Sequence, residues 1–183
     1  MSKPQPETLT LDRMDTPVGE AIVVTDEAGC LRLFQWIDEG GRREGLVRRY
    51  YPDTPIVEGP APAAIRAALD AYFDGDVHAL KAIPWRGAGT VFQQTVWRAL
   101  CDIPVGATIS YGELARRIDN PKAVRAVGLA NGANPNGLVV PCHRVIGVDG
   151  SLTGYGGGLH RKTWLLRHEG AAFKGDAGQA SLF

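Results

Sequence analysis

Hydrophobic and polar positions alternate along the first 36 residues in a way that is typical of β-strands. The runs TLTLDRM and CLRLFQW have a period of two residues, and the run EAIVVTD between them is rich in β-branched side chains. Two helices are then predicted: GGRREGLVRRYYP, which stops at Pro52, and PAPAAIRAALDAYFDGD, which ends at Gly75. The first part of the chain is therefore predicted to be a small α+β unit in which a few antiparallel strands pack against helices.

A helical period replaces this alternation after the segment HALKAIPWRGAGT (78–90), whose proline and glycines predict a linker. Thr90 and Gln93 form a capping-box pattern at the start of a helix that should end near Pro104. A last helix is predicted over LHRKTWLLRHEG. Its apolar side chains are expected to pack inward: Leu159, Trp164, Leu165 and Leu166.

Between these helices, the stretch TISYGELARRIDNPKAVRAVGLANGANP predicts a helix-turn-helix. Ser110 and Glu113 form a second capping-box pattern, which opens a helix over Tyr111–Ile118. Asn120 is the expected N-cap of a second helix over Lys122–Ala130. Helix pairs of this kind often bind DNA, but many serve only for packing, so the motif alone leaves both interpretations open.

The second helix of the pair is unusually rich in small side chains, so a partner can approach its backbone closely. Its small side chains lie beside two basic ones: Ala123, Ala126, Gly128 and Ala130, with Lys122 and Arg125. Arg125 is expected to be the only long side chain in its middle, so base reading in the major groove is disfavoured. The composition favours a minor-groove contact with one inserted side chain. Tight helix–helix packing is the alternative explanation.

The segment VVPCHRVIG places a cysteine next to a histidine at the end of an apolar, strand-like run. Neighbouring residues of a strand point to opposite faces, so the two side chains can share a site only if the chain turns at Pro141. A nucleophilic thiol needs a nearby base or positive charge, which His143 and Arg144 would supply. Glu169 is the best placed carboxylate to orient His143. An inert, buried Cys142 is the alternative.

Composition disfavours membrane-spanning and secreted disulfide-rich proteins. Hydrophobic residues make up 44% of the 183 residues and charged residues 22%, which is ordinary for a globular protein. No apolar run approaches the roughly 18 residues that a membrane span needs. The start, MSKPQPETLTLDR, lacks the apolar segment of a secretory signal. Three widely spaced cysteines, Cys30, Cys101 and Cys142, predict a protein of the reducing cytoplasm.

The net charge of zero conceals an asymmetry between the two parts of the chain. Residues 1–84 carry nine basic and fourteen acidic side chains, whereas residues 85–170 carry ten basic and five acidic ones. The charges leave two interpretations open: residues 85–170 meet a polyanion, or the asymmetry is ordinary variation of a solvated surface.

The segments PCHRVIG, RAVGLANGANP and GSLTGYGGGLHRKTWLLRHEG together resemble the methylated-DNA–protein-cysteine methyltransferases, also called O6-alkylguanine-DNA alkyltransferases. The resemblance runs from about Thr90 to Gly170 and extends more weakly to DTPVGEAIVV in the first strands. It implies an α+β fold with an N-terminal, ribonuclease-H-like scaffold domain over 1–84. A mainly helical DNA-binding and catalytic domain with the helix-turn-helix and the active-site cysteine would follow over 85–170, and a flexible tail over 171–183.

The resemblance also implies a single-turnover methylated-DNA–[protein]-cysteine S-methyltransferase that repairs O6-alkylguanine and, more weakly, O4-alkylthymine. Cys142 would accept the alkyl group irreversibly, His143 would act as a base through a water molecule, and Glu169 would orient His143. Asn134 would tie down the active-site turn. Tyr111 would lie by the phosphate backbone and protonate the guanine ring.

DNA would be bound through the minor groove, and the damaged base would be flipped from the duplex. Arg125 would fill the gap that the extruded nucleotide leaves, and the other DNA-binding positions of the second helix would be Lys122, Ala123, Ala126 and Gly128. The walls of the substrate pocket would come from Val145 and from the loop Tyr155, Gly156, Gly157 and Gly158.

Duplex DNA containing O6-alkylguanine is the expected partner, with no membrane, no cofactor and a monomeric state. Some members of the resembled family hold a structural zinc in the front domain. Residues 1–84 contain only Cys30 and His78 as candidate cysteine or histidine ligands, which is too few for a four-ligand site, so no metal is predicted.

The tail GDAGQASLF suggests a second partner. Gln179, Leu182 and Phe183 resemble the QxSLF-type peptide with which bacterial repair and replication proteins dock on the sliding clamp, and an ordinary frayed terminus is the alternative.

Two rival functions differ from the alkyltransferase in what the cysteine does. A non-catalytic sensor of alkylated DNA would bind without transfer, but relatives of that kind lack the cysteine that stands here at 142. A cysteine hydrolase usually draws its cysteine and histidine from distant parts of the chain, whereas Cys142 and His143 are adjacent.

Overall fold

The computed structural model describes residues 6–37 and 43–176. The chain divides into two compact units, Met1–Ala88 and Gly89–Phe183. Within the described ranges, no helix combines the length and the apolar character that crossing a membrane requires. The tail positions singled out in the sequence, Gln179, Leu182 and Phe183, lie outside the described residues.

The first unit is a four-stranded sheet with helices. Its elements are β1 (Leu9–Thr16), β2 (Gly19–Asp26), β3 (Leu31–Trp36), α1 (Arg43–Tyr50), β4 (Ile56–Glu58), α2 (Ala63–Phe73) and a 3₁₀ helix (Ala79–Ala82). The strand order is β3-β2-β1-β4, with β1–β2 and β2–β3 antiparallel and β4 parallel to β1. The three predicted strands and both predicted helices of this unit are confirmed.

Alternation in the strands builds the core of this unit, since every second side chain points to the same face. The buried cluster on that face contains Leu9, Leu11, Ile22, Val24 and Leu33, joined by Ile37, Val47 and Tyr51. β4 was not predicted, because three residues between turns carry too little periodicity. The predicted linker 78–90 was partly wrong: it contains the 3₁₀ helix, and Trp85 forms a β-bridge to Leu31.

The second unit is mainly helical. Its elements are α3 (Val91–Cys101), β5 (Ile109–Ser110), α4 (Tyr111–Arg117), α5 (Val124–Gly132), a 3₁₀ turn (Cys142–Arg144), β6 (Val145–Ile146) and α6 (Leu159–His168). β5 and β6 form a short parallel pair. At the start of α3 the capping box of Thr90 and Gln93 is present in both directions, as predicted. The indole of the buried Trp97 donates to the carbonyl of Ala130 (2.8 Å) and so fixes α3 against α5.

α4 and α5 form the predicted helix-turn-helix, with different details at the turn. Ser110 caps α4 by accepting from the Glu113 amide, but the Glu113 carboxylate pairs with Arg116 and Arg117 instead of completing a box. The prediction that Asn120 is the N-cap of the second helix was wrong, since the N-cap is Ala123. Pro121 disfavours a helical backbone at the residue before it, so an intervening turn delays α5 to Val124.

The buried face of α6 differs from the prediction. Leu165 and Leu166 are fully buried as expected, but Leu159 is 47% exposed and Lys162 is fully buried in its place. Lys162 lies three and four residues before the two leucines and seven before Glu169, so all four share one face of the helix. The helical period therefore indicates a buried position at residue 162, but a charged lysine is not expected to be buried.

Candidate active site

The segment around Cys142 is a buried turn that asparagine side chains hold in place. The strand predicted before Pro141 was wrong: residues 137–140 form turns, and Cys142–Arg144 form a 3₁₀ turn. The amide of Asn134 donates to the carbonyl of Val140 (2.8 Å), and its oxygen accepts from the backbone of Asn136 (3.0 Å). These two bonds fix the backbone on the N-terminal side of the cysteine.

The Cys142 thiol is buried and hydrogen-bonded. Its Sγ donates to the carbonyl of Gly137 at 3.7 Å. Burial raises the pKa of the thiol because it penalises the charged form. A hydrogen bond from Asn134, the charge of Lys162 and the backbone amides of Cys142 and His143 act in the opposite direction. The turn therefore contains groups that would stabilise a thiolate once the proton has been removed.

Lys162 is a component of this site that the sequence analysis missed. Its ammonium group donates to the carbonyls of Val145 (2.6 Å) and Thr153 (3.2 Å). Burial lowers its pKa to about 8, and the interaction with Cys142 partly opposes that change. Lys162 thus connects the cysteine turn to the segment that leads into the Tyr155–Gly158 loop.

We expect Lys162→Met to raise the pKa of the Cys142 thiol further, because a positive charge beside the thiolate is removed. At pH 7 the reaction of Cys142 with iodoacetamide should slow about tenfold, which corresponds to one pKa unit. The difference from the parent chain should shrink above pH 8, where Lys162 itself loses its proton. Mass spectrometry of labelled peptides measures the rate at Cys142 separately from Cys30 and Cys101.

The matched control is Lys174→Met, which removes an exposed lysine paired with Asp149. It should leave the labelling rate of Cys142 unchanged. Equal labelling rates in the Lys162→Met and parent chains at pH 7 would show that Lys162 does not act on the thiol.

His143 and Glu169 are in contact although they lie 26 residues apart. His143 Nε2 and Glu169 Oε1 are 3.0 Å apart, and both side chains are fully buried. Burial, together with the charges of Arg144 and Lys162, lowers the pKa of His143, and the nearby Glu169 opposes this only in part. Nδ1, the other ring nitrogen, is buried and has no hydrogen-bond partner among the described residues.

Arg144 completes this cluster. Its Nε donates to Glu169 Oε2 (2.7 Å), its Nη2 to Glu169 Oε1 (2.9 Å) and its Nη1 to the carbonyl of Ile103 (2.7 Å). Burial alone would raise the pKa of Glu169, but the charges and hydrogen bonds of His143 and Arg144 hold it well below its usual range. Arg144 therefore neutralises the carboxylate, a role that the sequence analysis did not assign to it.

The protonation states follow from these contacts. With Glu169 ionised and His143 neutral, the hydrogen bond between them requires the proton on Nε2, so Nδ1 carries a free lone pair. A neutral imidazole fixed by a carboxylate in this way can accept a proton at Nδ1. Chemically, the arrangement pairs a buried thiol with a base in the next residue of the same turn.

The candidate DNA-binding positions lie on and just before α5. Lys122 and Arg125 are exposed and make no ion pair or hydrogen bond with any described residue, unlike Arg116 and Arg117 of α4. Ala126 is exposed, whereas Ala123, the N-cap residue, and Gly128 are half-buried. The free positive charges of the helix pair are therefore concentrated at the start of α5.

Tyr111 and Tyr155 connect α5, the glycine loop and the cysteine turn. The ring of Tyr111 lies beside Gly128, where an added Cβ would be 3.8 Å from it, and its hydroxyl accepts from Thr153 (3.1 Å). The hydroxyl of Tyr155 donates to the Gly137 carbonyl (2.6 Å), which also accepts from the Cys142 thiol. Gly156 is exposed, Gly157 and Gly158 are half-buried, and Val145 is fully buried.

Comparisons with known proteins agree with this geometry. Residues 91–171 match the family described as "6-O-methylguanine DNA methyltransferase, DNA binding domain". The chain is 45% identical over 161 residues to the methylated-DNA–protein-cysteine methyltransferase of Salmonella typhimurium, covering 87% of this chain and 94% of that one. It is 44% identical over 158 residues to that of Mycobacterium leprae, covering 85% and 89%.

Solved structures with the same fold come from the same group of proteins. The O6-methylguanine methyltransferase of Mycobacterium tuberculosis superposes with a TM-score of 0.73 at 38% identity, covering 88% of this chain and 93% of that one. A structure of the M. tuberculosis protein in complex with DNA gives a TM-score of 0.72 at 38% identity, covering 89% and 92%.

Fold and site together define a mixed α+β protein with a helix-turn-helix and a buried cysteine–histidine–glutamate site. The chain belongs to the methylated-DNA–protein-cysteine methyltransferases, a family of DNA-repair enzymes.

Proposed function

We propose that this protein repairs O6-alkylguanine in double-stranded DNA by moving the alkyl group to Cys142, once per molecule. The observation that carries the proposal is the cluster of Cys142, His143 and Glu169, in which a buried thiol and an oriented base share one turn. Lys122 and Arg125 are exposed and have no ion-pair or hydrogen-bond partner among the described residues, so their charges are available to a polyanionic substrate. We place the reaction in the cytoplasm, with the protein acting as a monomer.

The transfer follows from the protonation states of the site. The thiol proton passes through a water molecule to His143 Nδ1, and the thiolate attacks the alkyl carbon of O6-alkylguanine. The S–C bond forms as the C–O6 bond breaks, and the electron pair of that bond stays on the guanine. The hydroxyl of Tyr111 protonates the guanine ring as this charge develops. The resulting thioether is stable, so each molecule reacts once.

The damaged base must leave the duplex before it can reach Cys142. Extrusion costs a few kcal/mol and costs least for a damaged pair. Arg125 fills the gap, while the loop Tyr155–Gly158 and Val145 form the pocket, with Asn134 holding the turn beneath it. The same pocket would accept O4-alkylthymine more weakly.

The test is to incubate the protein with a duplex oligonucleotide that carries isotopically labelled O6-methylguanine, and to measure intact mass and peptide masses. We expect one methyl group per molecule, on Cys142, with no further turnover when substrate is in excess. Tight binding without transfer would support a lesion sensor, and a thiol reaction independent of DNA would support a cysteine hydrolase. Either outcome would overturn the proposal.

We expect Arg125→Ala to slow repair of duplex DNA by about tenfold to a hundredfold, because the gap left by the extruded base is no longer filled. Reaction with free O6-methylguanine base should be unchanged, since no duplex has to open. The measurement is the second-order rate constant of methyl transfer with each substrate, with Arg98→Ala on α3 as the control. Equal losses with duplex and free base would remove the gap-filling role.

We further propose that the C-terminal peptide docks on the bacterial sliding clamp through Gln179, Leu182 and Phe183. The support is the sequence alone: a short tether that ends in two apolar anchors is suited to a groove on a partner. Deleting residues 179–183 should abolish clamp binding in surface plasmon resonance and leave methyl transfer unchanged. Unchanged clamp affinity of the shortened chain would end this proposal.

A further inference from the structure

Leu129 is the second large side chain that projects from α5. The buried face of the helix carries Val127, Ala130 and Asn131. At 100° per residue, Arg125 and Leu129 both lie close to the opposite pole of the helix. Leu129 is 73% exposed, whereas the other exposed large apolar side chain of the helix, Val124 in its first turn, is 39% exposed.

The neighbours of Leu129 make it stand out further. Arg125 precedes it by one helical turn, Gly128 is adjacent, and Gly132 follows on the same side. Single exposed leucines are common on protein surfaces and mean little by themselves. Here the leucine shares a face with an unpaired arginine, within the segment that matches a DNA-binding domain.

We propose that Leu129 is a second wedge residue, which packs in the DNA minor groove against the sugar and base edge next to the gap that Arg125 fills. This inference rests on the proposed function. Four residues of α-helix rise about 6 Å, on the order of two base-pair steps, so the two side chains reach positions within about two base pairs of each other when the helix lies along the groove. The small side chains around them allow the close approach that the narrow groove requires.

The chemistry of the groove fits a leucine at this position. Sugar carbons line its walls, and leucine is among the apolar side chains that minor-groove proteins insert between base steps to hold DNA distorted. Lys122 supplies charge for the phosphates and Arg125 occupies the gap, whereas Leu129 supplies apolar contact only. Loss of the Leu129 side chain should therefore weaken binding to the opened duplex without changing the number of phosphate contacts.

The experiment compares Leu129→Ala and Leu129→Met with Val148→Ala, which truncates a 94% exposed side chain in a turn that is not part of α5. With duplex O6-methylguanine, Leu129→Ala should lower the second-order rate constant of methyl transfer about tenfold, the size expected for one lost apolar contact. Leu129→Met should retain most of the rate, and Val148→Ala all of it. With free O6-methylguanine base, all variants should react like the parent chain.

Salt dependence supplies a readout that a general structural defect would not reproduce. The slope of the logarithm of DNA affinity against the logarithm of salt concentration should be unchanged in Leu129→Ala and smaller in Lys122→Ala. Three results for Leu129→Ala would each contradict the proposed role of Leu129. They are duplex repair at the parental rate, equal losses of rate on duplex and free base, and a reduced salt slope. Failure of the parent chain itself to take up methyl from duplex DNA would instead refute the proposed function.

Discussion

Replacing Cys142 with serine is expected to abolish methyl transfer while leaving DNA binding intact. A serine hydroxyl is far less acidic than a thiol, and burial in this turn raises the pKa of the acceptor group further. Hydrogen bonding from Asn134 and the charge of Lys162 suffice to assist a thiolate but not an alkoxide. Because serine is nearly the same size and can also donate to the Gly137 carbonyl, the turn should keep its shape.

Intact mass after incubation with duplex O6-methylguanine measures the transfer, and a gel-shift titration with the same oligonucleotide measures binding. Cys101→Ser is the control, because Cys101 is exposed and lies on α3 outside the cysteine turn. It should take up one methyl group like the parent chain. Methyl uptake at the parental rate by Cys142→Ser would contradict the assignment of the acceptor atom.

The sequence was sufficient for most of the regular elements because their signals are local. Alternation predicted β1 and β3, β-branched composition predicted β2, and a capping pair at Thr90 and Gln93 predicted the start of α3. Where local propensity competes with the turn that the chain must make, the prediction failed. The apolar run before Pro141 has the composition of a strand, yet it forms turns whose backbone is bonded to Asn134.

The site was predictable from the sequence only where the residue type itself indicates a chemical function. Cys142 and His143 stand out as an adjacent pair, and Glu169 was selected because the second half of the chain contains few carboxylates. Lys162 was missed because lysine is ordinarily a surface residue, and its burial depends on the carbonyls of Val145 and Thr153, which only the folded chain brings to it. The domain boundary at residue 84 and the roles of the site residues stay predictions.

Arg144 shows how tertiary contacts change the meaning of a residue. Two residues after Cys142 in the sequence, it looks like a source of positive potential for the thiol. In the structure its guanidinium is committed to Glu169 and to the carbonyl of Ile103, so its charge acts on the base rather than on the nucleophile. The positive charge that acts on the sulfur comes from Lys162 instead.

Glu169→Gln is expected to slow methyl transfer about a hundredfold, within the range that a positioned base contributes. A glutamine amide can donate as well as accept, so it no longer forces the His143 proton onto Nε2, and Nδ1 is then available as a base for only part of the time. The stability should fall by about 3 kcal/mol, because the buried guanidinium of Arg144 loses its counter-charge. Transfer from free O6-methylguanine base and urea unfolding measure the two effects separately.

The pH dependence separates a change in the base from a loss of folded protein. In the parent chain, burial holds the pKa of His143 below its usual value, so transfer should be constant from about pH 6.5 to the pKa of Lys162 at about 8, and fall at lower pH as Nδ1 becomes protonated. The contribution of Glu169 to stability should be complete above about pH 4.3 and be lost at lower pH, because its pKa is lowered by folding.

The stability of Glu169→Gln should therefore approach that of the parent chain as the pH falls below about 4.3. Glu58→Gln, which removes an exposed partner of Arg13, is the control and should change stability by less than about 1 kcal/mol. A Glu169→Gln protein that transfers methyl at the parental rate, with the same pH profile, would show that the carboxylate does not position His143.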